Sequence, residues 1–321
     1  MGESFLCHNF RLMRQDSSRP LPPAVRTLIR RFRAQRPLRG NSLLVTIFGD
    51  SIAPRGGAVT LGSLIRLAAP FGLTERLVRT SVARLASEGW LAACRSGRRS
   101  EYRLTRIGAE RFAEATRRIY GAHPRGWGGS WTLVVLPAVN GRLIALRREL
   151  TWLGFGQLTP TLFAHPACSP RQAARWLRRL RGTRNALILP RASGSAAVDR
   201  RLAARGWELS RQARRYRGFI ARFARAARAL AARRVDPETA FLVRTLLIHE
   251  YRKIHLKDPQ LPLALLPADW AGRRAYRLCR GLYARLFPAA EEHLSECARR
   301  LHRSLPRANG AARARFGGIA R

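Results

Sequence analysis

The chain has 321 residues, 46% of them apolar, and its 61 Lys and Arg against 19 Asp and Glu give a formal net charge of +42. The length is typical of about two or three domains with hydrophobic cores, and the apolar fraction excludes an intrinsically disordered protein. The positive charge favours a polyanionic partner such as nucleic acid or a phosphorylated ligand, although the arginine codons of a GC-rich genome account for part of it.

Cysteine usage and hydropathy point to the cytoplasm. The five cysteines are scattered and form no CxxC pair, which argues against a disulfide framework and a structural zinc site. No apolar run approaches the roughly 18 residues of a membrane-spanning helix, and the first residues lack the continuous apolar stretch of a signal peptide. We therefore expect reduced thiols, a cytoplasmic location and no membrane partner.

The first 37 residues are predicted to form a polar tail followed by a short basic helix. Serine and proline are frequent between Ser17 and Pro23. Apolar residues at helical spacing then predict a helix from Val25 to about Gln35, which Pro37 ends.

Residues 38–121 have the pattern of a winged helix-turn-helix domain that binds DNA. The predicted elements are a helix around Ser42–Ile52, a loop from Asp50 to Gly57, a strand Ala58–Thr60, a helix Leu61–Ala69, a helix capped by Thr74 and ending near Glu88, strands Leu91–Cys94 and Glu101–Leu104, and a helix Ile107–Tyr120. The two strands flank Ser96-Gly97-Arg98-Arg99, whose glycine suits the tip of a hairpin, the wing.

The predicted helix 74–88 has two opposite faces. At ~100° per residue, one arc holds Leu77, Val78, Ser81, Val82 and Leu85, and the opposite arc holds Arg76, Arg79, Thr80, Ala83 and Arg84. A helix that enters the major groove needs this division, because Arg pairs with guanine, Thr bonds phosphates or base edges, and Ala permits close approach. The predicted DNA contacts are therefore Thr74, Arg76, Arg79, Thr80 and Arg84 on the helix, and Arg98 and Arg99 on the wing.

The alternative interpretation of this helix is a solvent-exposed basic helix without a ligand, which is common in an arginine-rich chain. The preceding helix, the turn at Gly72 and the glycine-tipped hairpin favour the DNA-binding interpretation.

Downstream of a glycine-rich loop, His123–Ser130, the pattern changes twice. Residues 122–205 alternate short strands and helices, which predicts a ferredoxin-like α/β domain with elements at Trp131–Leu136, Arg142–Leu153, Leu158–Ala164, Arg171–Arg181 and Ala186–Leu189. Residues 206–321 return to helical periodicity, with predicted helices Trp207–Arg234, Pro237–Ile254, Gly272–Phe287 and Ala289–Ser304.

Two long strings make a family resemblance specific. FGDSIAPRGG and GLTERLVRTSVARLASEGW resemble the amino-terminal domain of the PaaX family, whose members repress phenylacetic acid degradation genes. The Trp131 strand with RRELTWLGFGQLTPTLFAHP resembles the family's middle domain, which is similar to the fold of the CRISPR-associated Cas2 protein. HEYRKIHLKDPQLPLALLPADW resembles its carboxy-terminal helical domain. The implied fold class is α+β, with a winged helix-turn-helix, a central Cas2-like (ferredoxin-like) domain and a C-terminal helical domain.

The resemblance also implies a mechanism. Members of the family are homodimers that bind double-stranded operator DNA and are released by an aryl-CoA thioester, typically phenylacetyl-CoA. The phosphates and adenine of coenzyme A suit arginine clusters and aromatic side chains. The candidate effector contacts are His249, Tyr251, Arg252 and Lys253. The alternative roles are solvated charge or interdomain pairing and, for His249, packing or hydrogen bonding.

Several other functions compete with this one. The effector is alternatively another acyl-CoA, and the protein an activator. A Cas2-like nuclease needs an acidic residue near the end of its first strand, and Trp131–Arg142 contains no Asp or Glu. His249 and His255 are six residues apart, a spacing that one helical face does not bring together around a metal. We therefore expect that the protein is not an enzyme and has no catalytic residues, no metal and no other cofactor. A constitutive RNA-binding or architectural protein is the third class of function. A DNA footprint with sharp boundaries would exclude it.

Overall fold

The computed structural model describes residues 21–38, 40–97, 99–122, 126–137, 143–180, 182–232 and 234–318. Across these ranges it combines helices with two antiparallel sheets, which confirms the predicted α+β class. The chain divides into two compact units, each assembled from separated segments. The first unit holds the described residues up to Tyr120 together with Ile220–Arg252 and those from Arg277 onward, and the second holds Gly121–Phe219 and Lys253–Tyr276.

The domain arrangement predicted from the sequence, with boundaries after residues 37, 121 and 205, stays a prediction. The predicted N-terminal tail up to residue 20 lies outside the described residues. Of the helices that the structure describes, none is both long and apolar enough to cross a membrane.

In its described residues up to Tyr120, the first unit contains five α-helices and three strands. They are α1 Pro23–Arg33, α2 Gly40–Ile47, β1 Ala58–Thr60, α3 Leu61–Ala68, α4 Glu75–Ser87, β2 Leu91–Ser96, β3 Arg99–Leu104 and α5 Arg106–Tyr120. The strands form an antiparallel sheet in the order β1-β3-β2, in which Thr60 pairs with Glu101 and Ser96 with Arg99. The predicted short strand and hairpin are confirmed, and the hairpin strands reach closer to the turn than predicted.

The predicted loop from Asp50 to Gly57 is wrong. A π-helical turn covers Phe48–Ile52 and a 3-10 turn covers Ala53–Arg55, so the chain remains helical until Gly56, which has a φ of 83°. Proline and glycine suggested a loop, but Pro54 occupies the first turn of a helix, where its missing N–H breaks no hydrogen bond. Burial of Phe48 and Ile52 stabilises this helical path.

The second unit is built around a four-stranded sheet. Its elements are β4 Ser130–Val135, α6 Leu143–Trp152, β5 Gly156–Gln157, β6 Leu162–His165, α7 Pro170–Leu177, β7 Leu187–Ala192 and α8 Ala196–Gly206. The strands are antiparallel in the order β5-β6-β4-β7, and Val134 of β4 lies between Phe163 of β6 and Ile188 of β7. These three pack with Leu150 and Phe155 into the core of the unit. Helix α8 was not predicted.

Three long helices follow: α9 Leu209–Ala231, α10 Pro237–His255 and α11 Ala271–Cys297, and a short helix α12 at Gly310–Arg313 comes near the end. The sequence predicted two helices on either side of Pro288, whereas α11 is one helix with Pro288 inside it. An interior proline costs a helix about 3 kcal/mol. The neighbouring Leu286, Ala290 and Leu294 are buried, and this packing outweighs the local cost.

Candidate nucleic-acid interface

Helix α4 begins where the sequence predicted. The Thr74 side chain, in extended backbone conformation, accepts a hydrogen bond from the Leu77 backbone N–H at 3.3 Å and so satisfies one of the free donors of the first turn. Before it, α3 and a 3-10 turn at Ala69–Phe71 end at Gly72, whose φ of 84° is in the left-handed region that favours glycine. The result is two helices joined by a tight turn.

The two faces of α4 are separated as the sequence predicted. Val78, Ser81, Val82 and Leu85 are buried, whereas the opposite face is exposed and consists of Arg76, Arg79, Thr80, Ala83 and Arg84. Ser81 lies on the core side, as expected. The helix is therefore held by its apolar face, and its basic face is open to solvent.

Two arginines of the exposed face form ion pairs along the helix. Arg79 Nη2 lies 2.6 Å from Glu75 Oε1, and Arg84 Nε lies 2.8 Å from Glu88 Oε1. Thr80 donates its hydroxyl to the Arg76 carbonyl at 2.9 Å. The ion pairs are solvent-exposed, and such pairs are worth only about 0.3–0.5 kcal/mol. Glu75 lies four residues before Arg79, and Glu88 lies four residues after Arg84. This i,i+4 spacing was a signal for the two pairs that the sequence interpretation missed.

The hairpin presents further positive charge. Arg99 begins β3 and is exposed, and Gly97 at the tip has a φ of 54°. Arg98, the other predicted wing contact, lies outside the described residues. Arg95 is an exposed residue of β2 that the sequence analysis did not select, although its place one residue before the predicted tip was visible.

The hairpin is fixed through Glu101 of β3. Its carboxylate is 2% exposed and accepts hydrogen bonds from the Arg103 side chain at 2.8 Å and from the Leu301 backbone N–H at 3.0 Å. Burial alone would raise the pKa of Glu101, but these donors and Arg300 outweigh it and lower the pKa to about 2. The carboxylate is thus an anchor between the hairpin and the carboxy-terminal segment of the same unit.

A second anchor includes residues of the helical turns that follow α2. This buried polar cluster is formed by Asp50, Arg55, Tyr120, Arg244, Tyr283, Glu291 and Arg315, all of them buried except the partly exposed Glu291. Asp50 Oδ1 accepts hydrogen bonds from the Tyr120 hydroxyl at 2.6 Å, the Tyr283 hydroxyl at 2.8 Å and Arg315 Nη1 at 3.0 Å. The cluster joins the FGD and PR residues of the amino-terminal string to helices α10 and α11.

Arg244 is the centre of this buried polar cluster and is fully buried. Its Nε lies 3.2 Å from Asp50 Oδ2, and its Nη1 lies 2.8 Å from Glu291 Oε1. Glu291 also pairs with Arg55. Three guanidinium groups therefore share two carboxylates, so each carboxylate is needed to compensate buried positive charge.

Burial would raise the pKa of Asp50, but the guanidinium groups of Arg244 and Arg315 and the two tyrosine hydroxyls hold it below its usual 3.8. Burial, together with the Asp50 charge, raises the pKa of Tyr120 well above its usual 10. Asp50 is therefore ionised and Tyr120 is a neutral donor at physiological pH.

The four predicted effector contacts are part of α10 and lie in different environments. His249 and Tyr251 are fully buried, and Lys253 is half-buried. His249 Nδ1 lies within hydrogen-bond distance of the Thr46 hydroxyl, at 3.0 Å. The same hydroxyl oxygen accepts a hydrogen bond from Arg252 Nε at 2.8 Å. The ring of His249 packs edge-on against Phe32 at 5.4 Å.

Helix α10 thus contacts α2 through His249 and Arg252. Burial lowers the pKa of Arg252 to about 10, which leaves it charged at neutral pH. The role of the four residues in effector binding stays a prediction. Within the described residues, no group of three or more His, Cys, Asp or Glu is placed to hold a metal ion.

Comparison with known proteins agrees with the resemblance. Residues 39–108 match the family described as PaaX-like protein, and residues 207–296 match the PaaX-like protein C-terminal domain. The chain is 38% identical over 290 residues to the transcriptional repressor PaaX of Escherichia coli (strain K12), which covers 88% of this chain and 92% of that protein. A solved structure, the uncharacterized protein Rv0674 from Mycobacterium tuberculosis, covers 71% of this chain and 88% of its own, with 23% identity and a TM-score of 0.45. The chain belongs to the PaaX family of transcriptional repressors.

Proposed function

We propose that this protein is a transcriptional repressor that binds double-stranded operator DNA through a winged helix-turn-helix. The exposed basic face of α4, opposite a face that is buried in the unit, carries the proposal. A helix held in this way has its outer side chains free for the major groove. The hairpin after it supplies further arginines at a position suited to phosphate or minor-groove contacts.

Each predicted residue has a role in this arrangement. Arg76, Arg79 and Arg84 are the candidates for base or phosphate contacts, and Thr80 for a phosphate or base edge. The Thr74 hydroxyl caps the helix. The backbone N–H groups next to Thr74, at the start of the helix, are the candidates for a phosphate contact. Arg98 and Arg99 are the wing contacts.

The ion pairs of Arg79 and Arg84 fit this function. In the free protein, Glu75 and Glu88 hold the two guanidinium groups along the helix. Because exposed pairs of this kind are weak, a phosphate or guanine replaces the carboxylate at small cost. The two pairs therefore hold the guanidinium groups in place before binding and oppose DNA binding only slightly.

The regulatory part of the proposal follows from the family. The Escherichia coli relative PaaX is a transcriptional repressor. We propose that this chain acts in the cytoplasm as a homodimer on genes of phenylacetate or related aromatic catabolism. Two half-sites of an operator need two recognition helices, which supports a dimer. An aryl-CoA thioester, phenylacetyl-CoA, is the proposed effector that releases the DNA, and no enzymatic activity is proposed.

The test is a gel shift and footprint on the DNA upstream of the protein's own gene and its neighbours. We expect a footprint with sharp boundaries and a shifted band that phenylacetyl-CoA disperses, whereas free coenzyme A and phenylacetate do not. Uniform coating of every fragment would contradict specific repression. A shifted band that persists at saturating phenylacetyl-CoA would contradict the effector while leaving DNA binding in place.

A further inference from the structure

The second unit contains a cavity of about 650 Å³ among residues of α8, the start of α9 and the segment before α11. Its apolar lining includes Leu209, Leu265 and Trp270, all at most 7% exposed. Exposed arginines also line it: Arg200 and Arg201 from α8 and Arg217 from α9. The volume lies within the roughly 300–1,000 Å³ of small-molecule sites, and a predominantly apolar lining with a few polar groups is their usual character.

The three arginines carry charge that no carboxylate of the described residues pairs. None of them forms an ion pair within 4.0 Å with a carboxylate of the described residues. Nearby, Arg191 pairs with Asp199 at 3.0 Å and Arg211 with Glu208 at 2.8 Å, so carboxylates of this unit are already engaged elsewhere. Asp269 is the acidic residue that lines the cavity, which leaves an excess of positive charge there.

Trp270 provides the second observation. It is 2% exposed, and its indole N–H is buried without a hydrogen-bond acceptor among the described residues. The indole nitrogen lies on the side of Gly272, so the part of Trp270 that lines the cavity is its aromatic ring.

The position of Trp270 is tightly determined. Its ring packs edge-on against Tyr216 at 6.1 Å, and the Tyr216 hydroxyl donates to Asp258 at 2.6 Å. A side chain at Gly272 would place its Cβ 2.4 Å from the indole nitrogen, so the glycine permits this ring position. The unit therefore holds a fixed aromatic ring beside a basic rim.

We propose that this cavity binds a small organic anion that combines phosphate groups with an apolar or aromatic part. The phosphates pair with the guanidinium groups of Arg200, Arg201 and Arg217, whose fork of donors matches phosphate oxygens. The apolar part covers Leu209, Leu265 and the Trp270 ring. Acyl-CoA thioesters have this combination. That the ligand is the effector rests on the proposed function, and the effector then binds through the cavity residues and not through His249, Tyr251, Arg252 and Lys253.

The test is isothermal titration of the full-length protein, without DNA, using phenylacetyl-CoA, coenzyme A and phenylacetate as probes. We expect phenylacetyl-CoA to bind best, coenzyme A to retain the salt-dependent part of the affinity, and phenylacetate to bind least. Arg217→Ala should weaken phenylacetyl-CoA binding about tenfold, as loss of one charged hydrogen bond predicts. Arg214→Ala, an exposed arginine one turn away on α9, is the matched control and should leave the affinity unchanged.

Trp270→Phe keeps an aromatic ring but reduces the apolar surface in the cavity, so about fivefold weaker binding is expected. Because Trp270 is buried, the unfolding temperature of this variant is measured beside its affinity. Equal affinity of Arg217→Ala and the wild-type protein, equal losses in Arg217→Ala and Arg214→Ala, or no binding of any probe would overturn the cavity assignment. Operator affinity without probe is measured in parallel. If wild-type protein binds phenylacetyl-CoA through Arg217 but binds no operator, the proposed function fails and the cavity assignment stands.

Discussion

Replacing Asp50 with asparagine tests the buried polar cluster directly. The substitution keeps the shape of the side chain but removes the negative charge that faces Arg244 at 3.2 Å and Arg315 at 3.0 Å. Arg55 and Arg244 would then share the carboxylate of Glu291, and Arg315 would lose its ion pair. Removing one partner of a buried ion pair typically costs about 3–5 kcal/mol, because the remaining charge is left buried and uncompensated. We expect a loss of this size in the free energy of unfolding.

The measurement is urea denaturation at neutral pH, followed by circular dichroism. Glu110→Gln is the matched control, because Glu110 pairs with Arg106 at 2.6 Å on the exposed surface of α5. Such a pair contributes about 0.3–0.5 kcal/mol, so the control should remain close to the wild-type protein. If Asp50→Asn is no more destabilising than Glu110→Gln, the buried polar cluster does not hold the unit together in the way described.

The same variant gives a pH dependence with a defined sign. The pKa of Asp50 in the folded protein is held below its usual 3.8 by Arg244, Arg315 and the tyrosine hydroxyls. The stabilisation is therefore complete above pH 3.8 and is lost as the pH falls through the folded-state pKa. The stability difference between wild-type protein and Asp50→Asn should be constant from neutral pH down to about 3.8 and should shrink below it. A difference that disappears at higher pH would contradict this origin.

Three further predictions follow from the interface and its anchors. Arg79→Ala should weaken operator binding by about 1–3 kcal/mol if Arg79 contacts a base. The control Arg117→Ala replaces an exposed arginine of α5 and should leave operator binding unchanged. Fluorescence anisotropy on labelled operator measures both affinities, and equal values would remove Arg79 from the contacts. Glu101→Gln should lower the unfolding free energy by about 1–3 kcal/mol at neutral pH. Because the pKa of Glu101 is lowered from 4.5 to about 2, this difference should vanish as the pH falls across that interval. A stability difference that does not depend on pH would contradict this origin. Gly108→Ala should cost about 1–3 kcal/mol in thermal unfolding, since the added Cβ would lie 2.2 Å from the Trp90 carbonyl oxygen; an unchanged melting temperature would show that the backbone yields easily.

Local patterns were sufficient to predict helix α4. Its apolar spacing, its threonine cap and its basic face lie within 15 consecutive residues, from Thr74 to Glu88, and each depends on i,i+3 and i,i+4 geometry that a sequence displays directly. The hairpin was visible for the same reason, because strand alternation and a glycine at the tip are short-range signals.

Where the sequence interpretation failed, a local signal was overruled by packing. Pro288 predicted a break, but buried neighbours keep α11 continuous. Pro54 and two adjacent glycines predicted a loop, but burial of Phe48 and Ile52 keeps that stretch helical. Helix α8 was missed because alanine and arginine dominate it, so its apolar stripe is narrow.

The sequence by itself determined the α+β class, the family and the division of α4 into a core face and a basic face, since each is written in neighbouring residues. Only the tertiary structure placed Asp50 against Arg244 and Arg315, Glu101 against Leu301, and the arginines of α8 and α9 around Trp270. These partners are far apart in the chain, and nothing in the periodicity of one segment encodes the charge of another. Long-range pairing of polar groups depends on which buried charges the completed fold must compensate, and that requirement exists only once the segments are packed together.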